Sequence, residues 1–586
     1  MKNAEQSLSA LRPDISRMAK RIQAARGQIE ADLVLKGGKV VHLFSGNIQE
    51  IDIAVYDNII IGLGNTYKAK NEVKIRDKWV IPGLIDAHIH IESSMLIPSA
   101  LAAALLVHGT TAIVSDPHEI ANVMGLEGVR FMLENSRHIP FDTFFMAPSC
   151  VPATHLETAG AELNAADLAP LKNEPFVLGL AEMMNFPAIL AGDPGVLEKI
   201  ARFRESNLDG HCPMLSGRDL QAYLTTGISS DHEASTPEEA LEKVRSGMML
   251  MIREGTSAKN LESLLPVVNE QNVHRFCLVS DDLHAEDIQE RGHLDFVIRK
   301  CISLGLDPLT AVRLATLNPA SHFGLKNRGA IAPGYLADMV VLDDLEHFQV
   351  NSVYKNGQLV AREGKLIDFP SREKPASAKR SFRMAPFSKD SLKIRHRNGK
   401  ARIIEWVPGQ IITRMCLERV PSADGWVEGD TESDLLKLCV VERHRDTGTV
   451  GVGLIRGFGL KRGALISSVA HDSHNIIAVG VTDEEIALGV KTLGEMGGGL
   501  AAVRGDEVLA RVPLEVAGLM SKKPIHELVK ELKSVKEAAR ELGCRIPDPF
   551  MALSFLALPV IPELKVTDKG LVDVNKFEIV PLFEQG

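Results

Sequence analysis

The sequence predicts an α/β protein: a (β/α)8 barrel of the TIM type, with a small split β-sandwich domain and an additional α+β C-terminal domain. Three observations carry the prediction. Between residues 81 and 324 eight short apolar runs alternate with helical patterns, and eight strands in about 240 residues suit a barrel that typically takes about 250. Residues 31–80 and 325–370 share a strand-like texture punctuated by Gly and Asn, and both carry Ala-Asp before an apolar run: Ala31-Asp32-Leu33-Val34 and Ala337-Asp338-Met339-Val340. One β domain built from both segments, with the barrel inserted, accounts for the pair. From residue 405 to 586 the texture changes to mixed strands and helices with Gly-rich joints.

Residues 1–30 are basic and amphipathic, without a continuous apolar core or a small-residue cleavage site. They read as a surface helix rather than a secretory signal. The eight barrel runs are IPGLIDAHI, TTAIVSDP, DTFFMAPS, FVLGLAEM, LDGHCP, GISSDHE, MMLMIREG and RFCLVSDD. Helical stretches separate them, and TPEEALEKVRSG opens on Thr236 with Glu239 three residues on, a capping-box spacing. Residues 371–404 are polar, basic and Pro/Ser-containing, which predicts a solvated connector. PIHELVKELKSVKEAARELG is an amphipathic helix stopped by Gly543, and PFMALSFLALPVIP is apolar enough for core or interface.

Bulk composition narrows the function. The chain has 586 residues, 45% apolar and 24% charged, with a net charge of −10. That is a soluble globular protein without the basic surface a nucleic-acid or anionic-membrane partner requires. No apolar run is long enough to span a bilayer. Seven cysteines lacking CxxC spacing indicate a reduced, cytoplasmic protein.

What ends each barrel run is informative. In order these are His88 and His90; Asp116, His118 and Glu119; Ser149 and Cys150; Glu182; His211; His232 and Glu233; Arg253 and Glu254; Asp281 and Asp282. Strand carboxyl ends form the rim where such barrels build active sites. His88 and His90 are two apart on a strand, so their imidazoles share a face. His88, His90, Glu182, His211, His232 and Asp281 offer four nitrogen donors and two carboxylates, a set that two divalent ions sharing a bridge use well. Glu182 is the natural bridge, with its two oxygens. Mixed imidazole and carboxylate ligands suit zinc, ferrous iron or manganese, and no thiolate is needed.

This pattern, with a split β domain beside the barrel, resembles the amidohydrolase superfamily. DAHIHIESSM, VSDPHEIANV, GLAEMMNFP, GISSDHE and GFGLKRGALISSVAHDSHNIIAVG resemble, within it, the adenine deaminase family along nearly the whole chain. Many superfamily members bridge their ions with a carbamylated lysine on the fourth strand. LGLAEMMN has none, which counts against a hydantoinase or dihydroorotase. The resemblance implies hydrolysis of adenine to hypoxanthine and ammonia, a purine salvage reaction, by attack of a hydroxide, formed from water that the ions acidify, on the six-position carbon. It also implies that Asp281 shuttles protons, with Glu233 and Glu119 as further candidates that compete with a tautomer-fixing role.

Several residues stay open at this stage. Ser93 and Ser94 either bond the purine edge or cap the next helix. His118 binds substrate, assists a metal or lines the mouth. His471 and His474, in SVAHDSHN, share a face on a helix but not on a strand. They are expected to bring the C-terminal domain over the substrate, against a secondary metal site or ordinary hydrogen bonding. A homo-oligomer, a dimer first, is expected. Competing functions are another aminopurine or cyclic-amide hydrolase, and a non-catalytic metal-binding purine sensor.

Overall fold

The computed structural model describes residues 14–370 and 381–584. The remainder, which includes the start of the N-terminal segment and of the connector, lies outside the described residues.

Eight parallel strands form the barrel: β1 (Leu84–Ile89), β2 (Thr110–Ser115), β3 (Asp142–Ala147), β4 (Val177–Met183), β5 (Asn207–Gly210), β6 (Ser230–Asp231), β7 (Met249–Arg253) and β8 (Phe276–Val279). β1 to β5 form one hydrogen-bonded sheet and β6 to β8 another. Ser229 N–H donates to Leu208 O at 3.1 Å across one join, and Asp281 N–H donates to His88 O at 3.0 Å across the other. Gly210 makes the first join possible, since a Cβ there would lie 2.3 Å from Ser230 O. An apolar cluster links β1–β4, β7 and β8 and includes Phe323 and Leu325 from the chain beyond the last strand.

The two β segments that flank the barrel in sequence share a nine-stranded sheet. The strand Trp79–Pro82 pairs antiparallel with Met339–Asp344, from Met339 opposite Pro82 to Leu342 opposite Trp79. Leu33 and Leu35 enter one apolar cluster and Val34 another, so this strand packs on both faces. The described end of the N-terminal segment is the helix Ile15–Ala25, mostly exposed and tied to Asp57 through Arg17 and Arg21.

An eight-stranded sheet organises the C-terminal region. Its strand Ala401–Trp406 starts inside the expected connector, and Phe382, Met384 and Phe387 pack against its core. The described part of 371–404 is therefore less solvated than its polar composition predicts, because its few aromatic and Met side chains anchor it. This region sits on the barrel mouth. Ser521 N–H donates to Met95 O at 2.7 Å and Thr158 N–H to Asp568 Oδ1 at 2.9 Å. Met95 follows β1 and Thr158 follows β3, so both contacts lie beyond strand carboxyl ends. PFMALSFLALPVIP contributes to the core, with Phe550, Leu553 and Leu556 buried.

Candidate active site

The six expected metal ligands converge at the carboxyl ends of β1, β4, β5, β6 and β8. His88 Nε2 and His90 Nε2 lie 3.2 Å apart. His90 Nε2 is 3.3 Å from both Glu182 Oε1 and Asp281 Oδ1, and His88 Nε2 is 3.5 Å from Asp281 Oδ1. On the other oxygen of Glu182, His211 Nδ1 stands at 2.6 Å and His232 Nε2 at 3.3 Å. Glu182 thus faces histidines from two directions, those of β1 on one oxygen and those of β5 and β6 on the other. All except His211, which is half-buried, are buried.

The donor set tests whether cations fit here. His90 Nδ1 lies 3.2 Å from the Asp116 carbonyl, which can only accept, so in the neutral ring Nδ1 carries the proton and Nε2 is the lone pair. That lone pair points among carboxylate oxygens and a second imidazole nitrogen. Acceptor faces acceptor, an arrangement that repels unless positive charge sits between them. The residues fit a pair of divalent cations, with a carbonyl behind His90 fixing its tautomer.

Asp281 occupies a left-handed backbone conformation (φ 59°), uncommon for a non-glycine residue. Its Oδ1 faces the two histidines of β1, and its Oδ2 accepts from Arg253 Nη1 at 2.7 Å. Arg253 also grips Glu233 with both terminal nitrogens, Nη2 to Oε2 at 2.8 Å. Burial alone would raise the Asp281 carboxyl; the charge of Arg253 is the largest influence opposing it, and the group is held well below its ordinary value. Sequence reasoning noted Arg253 at a strand end without assigning it this clamp. Its partners are 20 and 28 residues away, a pairing no local pattern carries.

Ser93 Oγ donates to Asp282 Oδ1 at 2.5 Å. Ser94 is consumed in its own turn: its hydroxyl donates to Ile91 O at 2.6 Å and accepts from Leu96 N–H at 3.2 Å. Neither serine caps the helix Pro98–Leu106, whose N-cap is Ile97. Glu92, between them and the His pair, was overlooked. It accepts from Ile120 N–H at 3.0 Å, tying the turn after β1 to the helix His118–Met124, and burial pushes its carboxyl up to about 7.

His118 Nδ1 lies 3.1 Å from Asp116 Oδ2 and 3.7 Å from Glu182 Oε1, beside the ligand ring. Glu119 turns away from that ring toward the C-terminal region. His471 Nδ1 lies 2.7 Å from Glu119 Oε1, and His474 Nε2 bonds Glu119 Oε2. The segment carrying these histidines is neither strand nor helix. It is a tight turn between the antiparallel strands Ala464–Ser467 and Ile476–Gly480, closed by His474 N–H to Ala470 O at 2.7 Å with His474 at φ 55°. A left-handed histidine brings both rings onto one carboxylate, a geometry neither regular periodicity predicts. A small pocket lies between the barrel mouth and this turn, lined among others by Ser93, Met95, His284, His471 and Phe550.

Residues 79–360 match the amidohydrolase family, which sets the class: a barrel hydrolase with a metal-competent rim. Residues 410–578 match the adenine deaminase C-terminal domain. The chain is 50% identical over 565 residues to an adenine deaminase of Desulfatibacillum aliphaticivorans, covering 96% of this chain and 99% of that one. It is 47% identical to an adenine deaminase of Dehalococcoides mccartyi strain CBDB1 and 46% identical to one of Methanothrix thermoacetophila, in both cases over 96% of this chain and 99% of the relative. The chain belongs to the adenine deaminase family.

Proposed function

We propose that this enzyme hydrolyses adenine to hypoxanthine and ammonia, with His88, His90, Glu182, His211, His232 and Asp281 holding two divalent ions. One observation carries the site: four imidazoles and two carboxylates from distant strands converge on one buried space, with His90 Nε2 3.2 Å from His88 Nε2 and 3.3 Å from oxygens of both Glu182 and Asp281. Bound ions would supply an acidified water and an anchor for it. Among the ions that such imidazole and carboxylate donors accept, we favour manganese or ferrous iron, with zinc second.

The chain's own groups do the rest. Asp281 turns Oδ1 inward, where it takes the proton of the attacking water and returns it to the departing amine. Arg253, on Oδ2, keeps Asp281 ionised between turnovers and aims it. Glu233 is held by the same guanidinium and stands 3.5 Å from His232 Nε2, which supports a positioning role. The C-terminal turn covers the mouth and keeps bulk water from the reacting atoms. A place of work in the reducing cytoplasm is supported by seven free cysteines, six of them buried, and no helix among the described residues is long and apolar enough to cross a membrane.

The test is ammonia release from adenine, from other aminopurines and from a cyclic amide by the metal-loaded protein, alongside metal analysis. Adenine turning over well above the others, at two ions per chain, is the expected result. Preference for another substrate contradicts the reading, and so does metal binding without turnover, which would mark a sensor.

A further inference from the structure

The Glu119, His471 and His474 cluster looks at first like a third cation site, since its ligand atoms lie within 4.8 Å of one another. Its hydrogen bonds argue otherwise. Ala470 N–H donates to His474 Nδ1 at 3.1 Å, so that nitrogen is the lone pair and Nε2 carries the proton. Burial keeps His474 neutral, lowering it to about 4. Its Nε2–H donates to Glu119 and has no lone pair for a cation. His474 is a strut that holds the carboxylate.

His471 differs. It is buried, its ring stacks on Phe555 at 4.9 Å and 20°, and Nδ1 is committed to Glu119. Nε2 is then the one ring nitrogen left for a ligand, and His471 lines the cavity with Ser93 and His284. We infer that His471, supplied by the C-terminal domain, is a hydrogen-bond donor to the purine in the deamination site, with Glu119 as its positioning residue. Addition of water at the six-position places negative charge on the ring, and a fixed N–H aimed at a ring nitrogen stabilises that charge. The proposal rests on the adenine reading.

The groups facing His471 are Glu119 on the helix after β2, Asp282 after β8, and Asp472 and His474 on its own turn. Burial disfavours the imidazolium, but the charge of Glu119 outweighs burial and raises His471 to about 9. The donor form therefore persists through neutral pH and is lost as pH rises through about 9.

The test uses the full-length, metal-loaded protein. In His471→Phe, which keeps a ring against Phe555 but has no N–H, kcat for adenine falls by about 10²-fold, while two ions remain bound and KM changes only a few-fold. In Glu119→Gln the alkaline limb of kcat/KM moves from near pH 9 toward the ordinary histidine range, a shift a structural role would not produce. A kcat within threefold of the parent in His471→Phe overturns the proposal. An unmoved limb in Glu119→Gln also overturns it, and that profile stands alone if the phenylalanine variant does not fold. Each variant is compared with the parent on whichever aminopurine turns over, so failure of the adenine reading is separately visible.

Discussion

The barrel rim and the seam above it use the same side chains for different ends. At the rim, a backbone carbonyl stands behind His90 and leaves its Nε2 a lone pair. At the seam, a backbone N–H stands behind His474 and leaves its Nε2 protonated. One arrangement suits cations among its carboxylates; the other satisfies a carboxylate directly. Ligand-like residues and short distances do not separate the two. The backbone group on the far nitrogen does, because it fixes the tautomer.

The comparison is broken most severely at the rim. Glu182→Ala removes the group that faces His88, His90, His118, His211 and His232. Bound metal should fall below two ions per chain and adenine deamination should drop by roughly 10⁴-fold or more, read by metal analysis and ammonia release. Arg253→Met should act next. It strands Glu233 and Asp281 without their counter-charge, lowering activity by about 10–100-fold and stability by about 3 kcal/mol. Urea unfolding and steady-state kinetics check the two figures.

The seam should respond differently. In His474→Gln metal content should stay at two ions per chain, because the seam holds none, while turnover falls by about tenfold as Glu119 loses its strut. A third ion in the parent that disappears in this variant would equate the two regions. The smallest effect is expected at the edge of the same interface. Lys533 pairs with Glu290 at 2.7 Å, but the side chains are 50% and 54% exposed. Lys533→Ala should leave both the unfolding midpoint and kcat/KM unchanged, because solvent screens an exposed pair.

The rim was legible in the sequence for a physical reason. A strand places i and i+2 on one face, and strand carboxyl ends meet at one mouth, so His88-x-His90 and the residues ending later runs could be assembled without coordinates. The rest depended on three-dimensional or irregular features. Arg253 acts on residues from β6 and β8 that only barrel closure brings near. Glu92 meets Ile120 across two turns. The turn of His471 and His474 follows neither helical nor strand periodicity, and its left-handed residue is a histidine where glycine would have signalled it. Ser94 illustrates the converse, since a hydroxyl in a polar motif was spent on its own backbone.

The most direct test of the central claim is titration of the metal-free full-length protein with manganese, following adenine deamination and bound metal together. The account predicts that activity and binding both saturate at two equivalents per chain, in the parent and in His474→Gln alike. Full activity at one equivalent, or a third equivalent required and lost in His474→Gln, would contradict it.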